Sequence, residues 1–322
     1  MSPHVESPTA QRRRGTSRPA APSGSTGHVR SGHRDVELAW SSRTHTGKVR
    51  QVNEDAVLCR PSMYLVADGM GGHECGDVAA ALAVAHLRES LDVDHVDTAA
   101  VERAVAGANR RIFERGRSEQ RSMGTTLTGL VPLPATAAIA VLNVGDSRTY
   151  RLSAGGLQQV TVDHSYVQEL VDAGDLDPAD AQHHPARNVV TRALGIDPEV
   201  EIDVIVVPLV EGDRFLVCSD GLSGELSPEW VARLLSAGSC DVAAGALLEA
   251  TLGGPARDNV SLIVVDVLQV AMDATDDATD EMAGDVTDRR GDVTNRKEAV
   301  GVPELIDGVP TFETDGPDEP VD

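Results

Sequence analysis

The stretch TTLTGLVPLPATAAIAVLNVGDSRTYRL, residues 125–152, decides how this chain folds. It holds three apolar runs, Thr125–Val131, Ala137–Val144 and Thr149–Leu152, separated by short breaks. Runs of this length bounded by turn residues read as strands, and Gly145-Asp146-Ser147 makes the turn between the last two. Upstream, Met63–Ala67 (MYLVA) is a buried strand stopped by Asp68-Gly69, and Val36–Trp40 and Ala56–Cys59 are short strands around a polar loop from Ser41 to Asp55. Apolar spacing predicts helices over Asp77–Leu91 and 98–116. Downstream, Gly155-Gly156 turns toward a strand at Leu157–Val162. A helix at Asp163–Ala173 and an irregular stretch to Arg192 follow, then strands at Val204–Val210 and Arg214–Cys218. Helices at Pro228–Ser236 and Asp241–Thr251 precede a last β-branched strand, Val260–Val267. Blocks of strands and pairs of helices, without strict β-α alternation, predict an α+β fold with antiparallel sheets.

Composition separates the ends from the middle. Of the 322 residues, 1–35 form a basic Ser/Pro/Gly-rich arm of net charge +4, and 269–322 form a tail with 16 acidic and 4 basic side chains. Neither has enough apolar residues to offset the entropy of ordering, so both are expected to be disordered. The arm reads as a flexible leader and the tail as a solvated polyanion. Residues 36–268 form one globular unit of net charge −15, an acidity that excludes nucleic acid as a partner and suits bound cations. Aromatics are only 2% of the chain, so Val, Leu and Ala must fill the core. Cys59, Cys75, Cys218 and Cys240 make no paired motif, which argues against a disulfide scaffold and for a reducing compartment. No run approaches the ~18 apolar residues of a membrane span, and no apolar segment follows the early arginines as a secretory signal requires. A cytoplasmic protein is expected.

Five acidic motifs punctuate the strands: Asn53-Glu54-Asp55, Asp68-Gly69, Gly145-Asp146-Ser147-Arg148, Asp220-Gly221 and Asp258-Asn259. Carboxylates at strand ends can converge on one rim of a sheet core, where their hard oxygens suit Mg²⁺ or Mn²⁺. A single Asp-Gly is far more often a β-turn. Asp68, Asp220 and Asp258 by themselves leave the two readings evenly balanced. Arg50 supplies a complementary piece, because a guanidinium just before Asn-Glu-Asp can fork onto two phosphate oxygens; the alternative is a surface arginine paired with Glu54 or Asp55.

In this order the motifs Thr46–Asp55, Val66–His73, Met123-Gly124-Thr125-Thr126, Gly145–Arg148, Cys218–Leu222 and Asp258-Asn259 resemble the bacterial branch of the type 2C, metal-dependent serine/threonine protein phosphatases. The resemblance covers about 36–268. It implies a four-layer αββα sandwich, two antiparallel β-sheets flanked by helices, with metals at one edge. It also implies that Asp68 bridges two Mn²⁺ or Mg²⁺ ions and that Gly69 offers a carbonyl to one of them. Asp220 and Asp258 resemble ligands of the first ion, and Glu54 the acid on the second. Asp55 resembles an outer-sphere support, Arg50 the phosphate clamp, and Asp146 a ligand of a third, weaker ion.

The implied reaction is hydrolysis of phosphoserine and phosphothreonine in proteins by a metal-activated water, without a phosphoenzyme, opposing serine/threonine kinases in signalling. Two metals ~3.5–4 Å apart lower the pKa of a water and clamp attacking and leaving oxygens. The expected partners are phosphorylated proteins and kinases, with the enzyme a monomer. The alternative is a catalytically silent phosphatase-like module that binds phosphoproteins. Met70 stands where many eukaryotic relatives have a histidine, which leaves leaving-group protonation to metal-bound water; His73 is expected in a loop or capping role. A flap over about 163–195 is implied, with Asp163 and Arg192 as second-rank site candidates. His164, His183 and His184 are expected to face solvent there.

Overall fold

In the computed structural model, which describes residues 23–31, 34–70, 75–92 and 94–272, the run Met63–Ala67 is a strand buried on both faces. Met63, Leu65 and Ala67 enter one hydrophobic cluster, while Tyr64 and Val66 enter another. Alternate side chains of a strand point to opposite faces. A strand apolar on both faces must therefore be covered on both.

In chain order the strands are β1 (Ser23–Ser31), β2 (Arg34–His45), β3 (Ala56–Arg60), β4 (Met63–Ala67) and β5 (Gly69–Met70), followed by helices α1 (Gly76–Ser90) and α2 (Thr98–Glu119). Then come β6 (Gly124–Thr125), β7 (Leu127–Leu133), β8 (Ala138–Val144), β9 (Arg148–Ser153), β10 (Gly156–Gln159), α3 (Tyr166–Asp172) and α4 (Pro178–Ala181). The chain continues through β11 (Asp203–Pro208), β12 (Arg214–Cys218), α5 (Asp220–Ser223), α6 (Pro228–Leu235), α7 (Cys240–Gly253) and β13 (Val260–Met272). One sheet has the order β1-β2-β13-β12-β9-β10 and the other β11-β8-β7-β4-β3; β5 and β6 make a small third pair. Pairing is antiparallel throughout.

Three clusters define four layers. Between the two large sheets lie Leu38, Trp40, Tyr64, Val66, Ile139, Val141, Phe215, Val217, Ile263 and Val265. Outside the five-stranded sheet, Leu65, Leu142 and Val144 meet Ala79, Ala83 and Leu87 of α1 and Val105 and Ile112 of α2. Outside the six-stranded sheet, Leu216, Leu262 and Val264 meet Leu235 of α6 and Ala243 and Leu247 of α7. Each fully buried Leu, Val or Phe contributes about 1.5–3 kcal/mol. Small alanines on α1 and α7 let those helices sit close to the sheets, which is how a chain poor in aromatics still fills its core. The αββα sandwich expected from the resemblance is the fold observed.

Helix ends follow the usual capping chemistry. Asp97 accepts from Ala100 N at the start of α2, Ser227 from Trp230 N before α6, and Ser239 from Val242 N before α7. The backbone of 23–31 pairs with β2 as β1. An open sheet edge can pair with a polar backbone whatever its composition. β13 also runs past Val267 to Met272, with a register shift between Val267 and Gln269. Residues 1–22 and 273–322 lie outside the described residues, as does His73. Among the described residues, no helix is long and apolar enough to cross a membrane.

Candidate active site

Strand register brings the acidic motifs to one end of the sandwich. Ala56 at the start of β3 faces Ala67 at the end of β4, and Leu127 at the start of β7 faces Val144 at the end of β8. Cys218 at the end of β12 faces both Arg148, which opens β9, and Leu262 near the start of β13. Antiparallel strands of matched length thus place Glu54, Asp55, Asp68, Asp146, Asp220 and Asp258 at neighbouring strand ends.

Specific bonds fix several of these positions. The Asp68 amide donates to Thr126 Oγ1 at 3.1 Å, and its carbonyl accepts from Thr126 N and Thr125 Oγ1, both at 2.9 Å. Thr126 Oγ1 is 2.8 Å from Ser147 Oγ, which ties the β4 end to the turn carrying Asp146. Asp220 opens α5, and Asp55 Oδ2 accepts from Ser219 Oγ at 3.1 Å. Gly69 admits no side chain: a Cβ there would lie 2.3 Å from Gly76 O and 2.5 Å from Glu54 O. Arg50 Nη2 donates to Asp258 Oδ2 at 2.8 Å, and Arg50 Nη1 lies 4.0 Å from Glu54 Oε2. The guanidinium is about half exposed, so its remaining donors face solvent beside the carboxylates.

Crowding leaves its mark on proton affinity. Burial, then the charges of Asp220 and Asp55, holds the Asp68 carboxyl well above the usual range. Burial raises Asp55 to about 7, and repulsion from Asp220 and Asp258 adds to it. Asp146 is likewise raised to about 7 by burial and by the charges of Asp220 and Asp163. Asp220 is raised by burial despite a hydrogen bond to Asp68, and Glu54 is raised by burial. A cluster like this binds either protons or cations.

Asp55 Oδ1 and Asp220 Oδ1 are buried without a hydrogen-bond partner among the described residues. Orphaned carboxylate oxygens ask for a positive charge. Among the described residues, no three His, Cys, Asp or Glu side chains form a ready metal cage. Oxygen donors of this kind suit Mg²⁺ or Mn²⁺, hard cations that keep several waters. Cys218 is buried at the end of β12 with its thiol pushed up to about 12 by burial, which makes it inert.

The flap region departs from expectation at His164. The ring is buried: Nδ1 accepts from Gly145 N at 3.0 Å, and Nε2 faces Asp203 Oδ2 at 3.2 Å. It is enclosed by Gly145 of the β8–β9 turn, Asp203 and Arg192, whose Nη1 lies 2.9 Å from Nε2. His183 is exposed as expected, whereas His184 is half-buried and accepts from Ala186 N at 3.1 Å. Of the second-rank candidates, Asp163 takes a forked bond from Arg148 at 2.7–3.0 Å, and Arg192 donates to Glu201 at 3.0 Å and Asp203 at 3.2 Å. A cavity of about 100 Å³ lies between Asp146, Asp220 and the flap residues Gln168, Gln182 and Arg187. Sequence reading missed the supporting residues Asn259, Thr125, Thr126, Ser147 and Ser219. All five stood inside quoted motifs, but nothing local said what they hold.

A four-layer αββα sandwich with crowded carboxylates and an arginine at one edge defines a metal-binding phosphatase scaffold. The chain belongs to the protein phosphatase 2C family, whose profile matches residues 44–244. It is similar to the serine/threonine protein phosphatase PstP of Mycobacterium tuberculosis, 39% identical over 236 residues that cover 72% of this chain and 45% of the relative. The chain thus spans less than half of that protein. It is also 34% identical over 250 residues to the serine/threonine phosphatase stp of Listeria monocytogenes, covering 72% of this chain and 98% of the relative. Among solved structures, the catalytic domain of PstP in complex with two manganese ions superposes with a TM-score of 0.66 at 36% identity, covering 73% of this chain and 99% of that one.

Proposed function

We propose that this chain hydrolyses phosphoserine and phosphothreonine esters of proteins by a water nucleophile, opposing serine/threonine kinases in the cytoplasm. The observation that carries the reading is Arg50 joined to Asp258 at 2.8 Å on the rim of the carboxylate cluster, a cation poised beside an anion-rich ion site. Glu54, Asp68, Gly69, Asp220 and Asp258 are the residues that would hold two Mn²⁺ or Mg²⁺ ions, with Asp146 for a third, weaker one. When bound, such ions supply a water ionised near neutral pH and positive charge for the phosphoryl oxygens.

The chain's own groups do the rest. Arg50 forks onto two phosphate oxygens and offsets the charge that develops there. Asp55, anchored by Ser219, offers its free Oδ1 as a proton acceptor to water at the site. Gly69 lets Gly76 and Glu54 close against the end of β4. None of Cys59, Cys75, Cys218 and Cys240 is in a disulfide among the described residues, which supports a reducing compartment. Residues 1–35 and 269–322 are proposed as flanks of a single catalytic unit, acting as a monomer on phosphorylated proteins.

Hydrolysis of p-nitrophenyl phosphate tests the reading. Turnover should require Mn²⁺ or Mg²⁺, stop with chelator, and vanish in Asp68→Ala. Turnover that survives chelation would contradict it, and phosphopeptide binding without hydrolysis under saturating Mn²⁺ would favour the silent-module alternative.

A further inference from the structure

The loop over 46–54 carries Arg50 and Glu54, and it is templated on residues 254–259. Asn259 is 3% exposed, and all its side-chain bonds go to that loop. Its Nδ2 donates to Thr46 O and Val52 O, each at 2.9 Å, and its Oδ1 accepts from Glu54 N at 2.9 Å. Lys48 adds two contacts, N to Ala256 O at 2.8 Å and Nζ to Gly254 O at 2.9 Å. Gly47, at φ +78°, lies so close that a Cβ would stand 2.1 Å from Asp258 O. One buried amide therefore grips the loop at its start, just short of Glu54, and at Glu54 itself.

We propose that Asn259 is a positioning residue for phosphate recognition: its carboxamide sets where the 46–54 loop lies and so where the Arg50 guanidinium meets the ester. The inference rests on Arg50 being the phosphate clamp. Truncating Asn259 leaves two carbonyls and one N–H of the loop without partners, and the loop must move to find water. A displacement of about 1 Å at a clamp can reduce rate by about 10²-fold. A merely structural asparagine would lower stability and act independently of Arg50.

A double-mutant cycle separates these. With saturating Mn²⁺, Asn259→Ala should lower kcat/KM for p-nitrophenyl phosphate about tenfold in the native background. In Arg50→Ala it should add less than about twofold, because coupled residues are not additive. Its affinity for inorganic phosphate by calorimetry should fall in parallel, and deuterium uptake over 46–55 should rise. Equal losses in both backgrounds, or unchanged uptake, would overturn the proposal. Should Asn259→Ala not fold, Asn259→Asp keeps the volume and the acceptor for Glu54 N while losing both donors, and the same coupling is expected of it. A wild-type protein that neither hydrolyses the ester nor binds phosphate would remove the phosphatase reading and this inference together. An active wild type with additive losses would remove only the role of Asn259.

Discussion

Arg50 and Asp258, 208 residues apart in sequence, are joined by a 2.8 Å bond from Nη2 to Oδ2. The pair brings together the first and last motifs of the site, and it forms because the loop after β2 lies on the segment that enters β13. A half-exposed ion pair adds only about 0–1 kcal/mol to stability. Its meaning lies in where it puts a guanidinium.

Arg50→Ala should therefore lower kcat/KM about 10²–10³-fold, the usual loss for one preorganised donor to a developing charge, with little change in Tm. Arg50→Lys should recover part of the loss, since it keeps the charge but not the fork. Steady-state kinetics and a melting curve on each variant check this.

The crowded carboxylates predict an unusual pH dependence of stability in the presence of chelator. Asp55 and Asp146 are raised from 3.8 to about 7 in the folded chain. A carboxyl whose folded pKa is raised favours the folded state fully below its unfolded value, and that contribution is lost as pH rises through the folded value. With EDTA present, Tm should thus fall between pH 4 and about 7–8 from this cluster's contribution. Saturating Mn²⁺ should flatten the trend, as cations replace protons. A Tm in EDTA that climbs steadily over that range would contradict the account.

Asp220→Asn tests the same repulsion by removing one charge at constant shape. Asp68, Asp55 and Asp146 each feel Asp220. The metal-free variant should melt higher than the wild type, at about 2–4 °C per kcal/mol for a domain of this size, while Mn²⁺ binding by calorimetry weakens sharply. A lower Tm together with unchanged binding is the contrary result.

Gly69→Ala should cost about 1–3 kcal/mol by overpacking and should depress activity, since its Cβ would strike Gly76 O and Glu54 O. Denaturant melts and kinetics on one preparation measure both effects.

Much of this was legible in the chain. The compact apolar run Met63–Ala67 and the β-branched run Val260–Val267 name buried strands because a short apolar run between turn residues is a local property. Asp68, Asp220 and Asp258 stand where apolar runs break, so their convergence follows once the strands are antiparallel. Asn259 was not legible as a loop anchor, because its three partners lie 205 to 213 residues away. His164 was misread because a histidine in a polar stretch gives no sign that Gly145 and Asp203 will enclose it. β1 went unread because its pairing with β2 depends on a sheet edge that composition does not record.

The central claim is that metal-activated water at this site cleaves phosphate esters held by Arg50. Hydrolysis of a phosphothreonine peptide in H₂¹⁸O with saturating Mn²⁺ tests it most directly. The account predicts inorganic phosphate carrying a single solvent oxygen, no trapped phosphoenzyme, and no product after chelation or in Asp68→Ala. A phosphorylated protein intermediate, or label appearing without divalent metal, would contradict it.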